Sequence, residues 1–111
     1  MKRKAVIAAE LKSGIRNIEL AVISTVRERG GNITGESFVW KHGADGDALP
    51  ELVSARITSN ARTACLILPR EYCEESASMV SRTEVWDAIN NCVEILAGER
   101  RAIARPDGVA A

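Results

Sequence analysis

The chain has no excess of charge of either sign, because fifteen Lys and Arg residues balance fifteen Asp and Glu residues over its 111 positions. A neutral chain has no overall field that draws it to nucleic acid or to an anionic membrane, so any charged partner must be met by a local patch. Long hydrophobic runs are also absent. The longest run, residues 64–69, has the length of a strand and falls far short of the ~18 apolar residues of a membrane span. We expect no membrane-spanning segment.

The chain has only three cysteines, an odd number, and Cys65, Cys73 and Cys92 form no CxxC pair. This pattern does not indicate a disulfide framework and favours a reducing compartment. The basic start at residues 1–4 and the apolar residues 5–9 resemble the beginning of a signal peptide, but Glu10 ends the apolar run below the ~7–15 residues that export requires. We therefore expect a cytoplasmic protein.

The residue types that carry catalysis and metal binding are few. The single histidine, His42, would have to activate a nucleophile by an accident of folding, and one His with three scattered Cys lacks the ligand spacing of zinc sites. The acidic pair in residues 45–47 is too short for a calcium loop, and the glycines match no phosphate-binding motif. The acidic cluster at residues 71–75 suits the start of a helix, where carboxylates complement the dipole. The sequence predicts no enzyme, no cofactor and no metal.

Apolar residues recur at steps of three and four from residue 4 to residue 29, which predicts a long amphipathic helix. The stripe consists of Ile7, Leu11, Ile15, Ile18, Val22 and Val26. Gly14 costs about 1 kcal/mol in a helix interior relative to Ala, so the helix is either continuous or broken there. Gly30 and Gly31 are suited to end it.

The middle of the chain predicts about three antiparallel strands. Phe38 and Trp40 alternate on one face of the first strand, and residues 43–50 have the composition of a loop. Residues 53–58 alternate in polarity, a turn follows at residues 59–61, and the apolar run 64–68 is typical of a central strand.

The last part of the domain predicts one or two helices. Pro69 suits a helix start, which indicates a short helix over residues 70–75. Ser81 and Glu84 have the spacing of a capping box for a second helix, which Gly98 would end. We therefore expect one α+β domain over residues 1–98, with a long N-terminal helix, a sheet and C-terminal helices packed on it, and a flexible tail over residues 99–111.

With catalysis and metal binding set aside, protein binding is the favoured function. Leu20 and Ile23 lie off the main helical stripe and suggest a second apolar surface, and Phe38 and Trp40 would need a cover if they faced outward. The working hypothesis is a non-enzymatic protein-binding module that forms a homodimer and acts as a regulator, adaptor or phage-type inhibitor of a larger protein complex.

Two alternatives stay open. The first is a winged-helix-like nucleic-acid-binding regulator, with residues 33–36 entering a second helix, residues 49–57 as its recognition helix and a terminal basic patch made of Lys2, Arg3, Lys4, Arg100 and Arg101. The second is a small-ligand-binding protein whose pocket at a subunit interface contains His42, Arg56 and Arg62.

Overall fold

The computed structural model describes residues 4–41, 51–59 and 61–98, with side chains described from residue 9 onward. Its elements follow the order α1, β1, β2, β3, α2, α3, with a single 3-10 turn at Gly35–Ser37 before β1. Their bounds are Lys4–Glu28 for α1, Phe38–Lys41 for β1, Leu52–Ser59 for β2, Arg62–Pro69 for β3, Arg70–Glu75 for α2 and Thr83–Leu96 for α3. The predicted α+β layout is confirmed.

Helix α1 runs for 25 residues without a break. Gly14 is buried within it and faces α2, so the break considered at this glycine does not occur. The helix ends as predicted, because Gly30 adopts a left-handed φ of +83° and the Gly31 N–H donates to the Val26 carbonyl at 3.0 Å. Leu11, Ile15, Ile18, Val22 and Val26 are all buried.

The three strands form one antiparallel sheet in the order β1-β2-β3. Phe38 lies opposite Ile57, and Ile57 lies opposite Ala64, which sets the register of both ladders. The predicted hairpin is therefore confirmed. The prediction that residues 64–68 form the central strand is wrong: β2 is central and β3 is an edge, and within β3 Cys65 and Ile67 are exposed.

Helices α2 and α3 form where they were predicted, but the predicted capping box does not. The N-cap of α3 is Arg82, which makes no side-chain cap hydrogen bond. Its guanidinium instead pairs with Glu75 at 2.6 Å and Glu84 at 3.3 Å and lies 4.2 Å from the centre of the Tyr72 ring. Gly98, at φ +79°, ends the helix. Side-chain contacts with α2 therefore hold the start of α3.

All three helices pack on the same face of the sheet, and their apolar residues join the inward-facing strand residues in one core cluster. The fully enclosed side chains, which come from both the helices and the sheet, include Ile18, Val22, Ile57, Leu66, Val85 and Ile89. No helix within the described ranges is long and apolar enough to cross a membrane. The expected loop over residues 43–50 and the expected tail over residues 99–111 lie outside the described residues. The predicted end of the domain at residue 98 coincides with the last described residue and stays a prediction.

Candidate binding face

The sheet has one face turned away from the helices, because successive side chains of a strand point to opposite sides. We call it the open face; it consists of Val39, Lys41, Leu52, Ser54, Arg56, Thr58, Thr63, Cys65 and Ile67. All of these side chains are exposed except Ser54, which is half-buried. None of the described elements covers this face.

The open face is organised in two rows that cross the strands. In one row Arg56 stands between Val39 and Cys65. In the neighbouring row Ser54 stands between Lys41 and Ile67. Directly opposite side chains in antiparallel strands have Cβ atoms about 5 Å apart, so the members of each row are in reach of one another.

A shallow depression of about 280 Å³ lies at the centre of the two rows. Its floor includes Ser54 and Ala55 of β2, and its walls come from β1 and β3. The depression exists because Ser54 is short while Lys41 and Ile67 on either side of it are long. The open face is thus a flat apolar and basic surface with one small recess.

The charge of the open face is of one sign. Lys41 and Arg56 are both exposed, and none of the described side chains of this face is acidic. Its remaining polar groups are the hydroxyls of Ser54, Thr58 and Thr63. A surface that joins two cations to neutral donors favours negatively charged groups, even though the chain as a whole is neutral.

The three thiols have different environments. Cys65 is exposed on the open face, whereas Cys73 and Cys92 are buried. Burial raises the pKa of the Cys73 thiol to about 11, and the neighbouring Glu74 carboxylate adds to this rise. Burial likewise raises the pKa of the Cys92 thiol to about 11, with a smaller contribution from Cys65, and its Sγ donates to the Cys65 carbonyl at 3.4 Å. The two buried thiols are packing groups rather than nucleophiles.

The aromatic candidates Phe38 and Trp40 do share one strand face, but it is the inner face. Their rings stack with centroids 6.1 Å apart, Phe38 is buried, and Trp40 is half-buried against the core. The Trp40 Nε1–H donates to the Glu19 Oε1 atom at 3.0 Å. As exposed contacts for a partner these two residues are wrong, because α1 already covers this side of β1.

Of the two large side chains expected to form a second apolar surface on α1, only one is exposed. Ile23 is only 9% exposed and belongs to the core, whereas Leu20 is 50% exposed. Ile23 does reach the edge of a groove along α1, of about 550 Å³, with Ser24, Arg27 and Glu28. The interpretation of Ile23 as lying away from the core is wrong, because the buried arc of a helix packed against several elements is wider than its main stripe.

The polar pocket expected around His42, Arg56 and Arg62 is not brought together by the described residues. Arg56 lies on the open face, whereas Arg62 lies on the opposite side, with its guanidinium 2.8 Å from where a Cβ on Gly98 would stand. His42 lies outside the described residues. The two arginines of one chain therefore do not line the same pocket, and the predicted site at a subunit interface stays a prediction.

The winged-helix alternative is contradicted by the sheet. The expected recognition helix at residues 49–57 is largely strand β2, and residues 33–36 lead only into a 3-10 turn. The expected basic patch falls almost entirely outside the described residues, which do not include Lys2, Arg3, Arg100 and Arg101. Its remaining member, Lys4, begins α1, and its side chain is not described.

Sequence reasoning assigned no role to Val39, Lys41, Leu52, Cys65 or Ile67, which form most of the open face. The apolar run at residues 64–68 is typical of a central strand, and this interpretation gave no indication that Cys65 and Ile67 are exposed. The order of the elements does indicate an uncovered face. A three-stranded meander with helices only before and after it has enough helical surface to cover one face of the sheet, which leaves the other face exposed.

No protein-family model, no curated protein and no solved structure matches this chain. No group of three or more His, Cys, Asp or Glu within the described residues could hold a metal ion. The argument for a function therefore depends on the geometry of the open face.

Proposed function

We propose that this chain is a non-enzymatic protein-binding module that docks on a larger protein through the open face of its sheet. The observation that carries the proposal is the concentration of exposed apolar side chains on that face. Val39 is 50%, Leu52 59% and Ile67 60% exposed. Singly scattered exposed apolar residues are ordinary, whereas several on one uncovered sheet face are typical of an interaction surface.

The energetics favour docking. Covering the exposed part of one such side chain contributes roughly 1 kcal/mol, at about 25 cal/mol per Å² of apolar area removed from water. The strands also present the apolar groups on a rigid backbone, so little conformational entropy is lost when a partner binds. A few aligned apolar side chains on a preformed sheet are therefore a better anchor than the same residues on a mobile segment.

The chemistry of the open face supports binding rather than catalysis. Its described residues offer two cations, hydroxyls and one thiol, with no carboxylate or imidazole among them to act as a general base. The thiol of Cys65 faces Arg56 across the ladder and has no described base on the same face. A role as regulator, adaptor or inhibitor of a protein complex fits this surface.

Site-specific photo-crosslinking tests the proposal in cells that produce the full chain. A benzophenone amino acid replaces Ile67 on the open face in one variant and Met79 in the control variant. Met79 is a matched control because it is 65% exposed but lies between α2 and α3. We expect discrete crosslinked protein adducts from position 67 and none of the same adducts from position 79. Identical adduct patterns from both positions, or no adduct from position 67, would contradict the proposal.

A further inference from the structure

We infer that the occupant of the open face is an extended segment of another protein that carries carboxylates next to apolar side chains, and not a second copy of this chain. This inference rests on the proposed function and adds the chemistry of the partner. Three observations carry it: the placement of the two cations, the recess that the two rows leave beside them, and the like charge of the face.

The two cations are spaced to meet alternate residues of an extended chain. Arg56 lies directly opposite Val39, and Lys41 lies two residues further along the same strand as Val39. Arg56 and Lys41 are thus diagonal neighbours, with Cα atoms about 7–8 Å apart. In an extended segment, residues i and i+2 point to the same side and lie roughly 6.7 Å apart. Two carboxylates at such positions can pair with both cations at once.

The recess between the rows is shallow and open to solvent, so it can receive a side chain of a partner segment. Val39 and Ile67 stand on opposite sides of it, so an apolar side chain entering the recess contacts both edge strands. The partner segment therefore combines acidic and apolar residues on one side.

A second copy of the chain is a poor occupant because the charges of the open face have one sign. Face-to-face pairing of two sheets would bring Lys41 and Arg56 near the same residues of the other copy, with no described carboxylate on either face to separate them.

Single-stranded nucleic acid would supply anionic groups but lacks a stacking platform here. The chain has four aromatic residues, and all of them lie on the helical side of the sheet: Phe38 and Trp40 in β1, Tyr72 in α2 and Trp86 in α3. Sheets that bind single strands stack bases on exposed aromatic rings. Two cations without such rings favour a protein segment.

Panning a random-peptide display library against the full chain tests this inference. The same library is panned against the open-face reversal variant Lys41→Glu with Arg56→Glu, and against the control Lys12→Glu with Arg16→Glu on the exposed side of α1, which changes the net charge equally. Selected peptides are synthesised and their affinities are measured by fluorescence anisotropy. Protection of Cys65 from alkylation by N-ethylmaleimide shows which peptides cover the open face, because Cys65 is the exposed thiol on it.

We expect peptides that protect Cys65 to be enriched in Asp or Glu at alternate positions beside apolar residues. Loss of two charge-assisted contacts should weaken their binding to the open-face variant by about 10-fold or more, and the control by less than about 2-fold. A peptide with Lys in place of its carboxylates should prefer the open-face variant over the unmodified chain.

Several results would overturn the inference, and they differ in what they leave of the proposed function. Neutral or basic peptides that protect Cys65, or adducts at position 67 without any protecting peptide, would reject the acidic segment and leave the protein-binding function standing. Alkylation of Cys65 that slows as the chain itself is concentrated would make a second copy the occupant, and slowing by a single-stranded oligonucleotide would make it nucleic acid. Absence of both peptides and adducts would reject the proposed function as well.

Discussion

Gly14 of α1 lies against Cys73 of α2 so closely that a Cβ on Gly14 would stand 1.6 Å from the Cys73 carbonyl oxygen. One turn further along α1, the Asn17 side-chain amide donates to the Ser76 carbonyl at 2.8 Å and the Ala77 carbonyl at 3.0 Å. The close approach and the two hydrogen bonds fix α2 on α1. The short helix therefore gains its stability from this contact rather than from its own six residues.

Substituting Gly14 with Ala should destabilise the protein, although Ala is the better helix former by about 1 kcal/mol. The added methyl group has no space beside the Cys73 carbonyl, so α1 and α2 must separate, at a net cost of about 2–3 kcal/mol. Urea unfolding followed by circular dichroism measures the change. Ser24→Ala, at an exposed position of the same helix, is the control and should be neutral or slightly stabilising. A stabilised G14A variant would contradict the packing described for α1 and α2.

Ile23→Glu and Leu20→Glu should change the stability of the protein to very different extents. Ile23 is 9% exposed within the core, so Ile23→Glu removes a packed apolar side chain and takes a carboxylate largely out of water, which should cost about 2–3 kcal/mol. Leu20 is 50% exposed, and its replacement should change the stability by less than about 1 kcal/mol. Thermal unfolding of the two variants gives the comparison. Equal effects would show that Ile23 is not part of the core.

One of the three thiols should react much faster than the others in the native protein. Cys65 is exposed, whereas Cys73 and Cys92 are buried and have their pKa values raised to about 11. At neutral pH both effects suppress the reactive thiolate at the buried positions. Titration with a chromogenic disulfide reagent should give one fast equivalent, and Cys65→Ser should remove it. Two or three fast equivalents in the folded protein would contradict the described burial.

The stability should fall as the pH rises from about 9 to about 11. In this window the unfolded thiols, with their ordinary pKa of 9.0, lose protons that native Cys73 and Cys92 retain. The native state then binds more protons than the unfolded state, so the free energy of unfolding decreases with pH, by at most about 1 kcal/mol per pH unit for each thiol. Denaturant unfolding across this range measures the slope.

Cys92→Ala provides the control for that pH dependence. Because one of the two titrating thiols is then absent, the slope between pH 9 and pH 11 should be shallower than that of the unmodified chain by the contribution of one thiol, at most about 1 kcal/mol per pH unit. Other groups that titrate in this range contribute equally to both proteins and cancel in the comparison. An unchanged slope would assign the pH dependence to groups other than Cys92.

Local patterns were sufficient to predict most of the elements. The stripe from Leu11 to Val26 repeats over many turns, and the glycines at positions 30 and 98 adopt the left-handed conformation that ends a helix. The alternation in β2 and the turn before β3 gave the hairpin. These features depend on neighbours a few residues apart, and such neighbours are visible in a sequence.

The candidate site could not be predicted in the same way. The apolar run at residues 64–68 is compatible with a strand buried on both faces and with an edge strand that exposes Cys65 and Ile67. Phe38 and Trp40 were correctly placed on one face, but nothing local indicates that this face meets Glu19 of α1. Similarly, the wide buried arc that includes Ile23 depends on how many elements surround α1.

By itself, the sequence determined the type and approximate ends of the helices and strands, because helix and strand periods and glycine conformations are local properties of the chain. Only the tertiary structure decided which side of the sheet the helices cover, and therefore which residues are left for a partner. The reason is physical: the period of two divides the residues of a strand into two faces, but burial against elements distant in sequence determines which face is the core. Arg56 and Ile67 belong to the binding face because α1, α2 and α3 all pack on the other side.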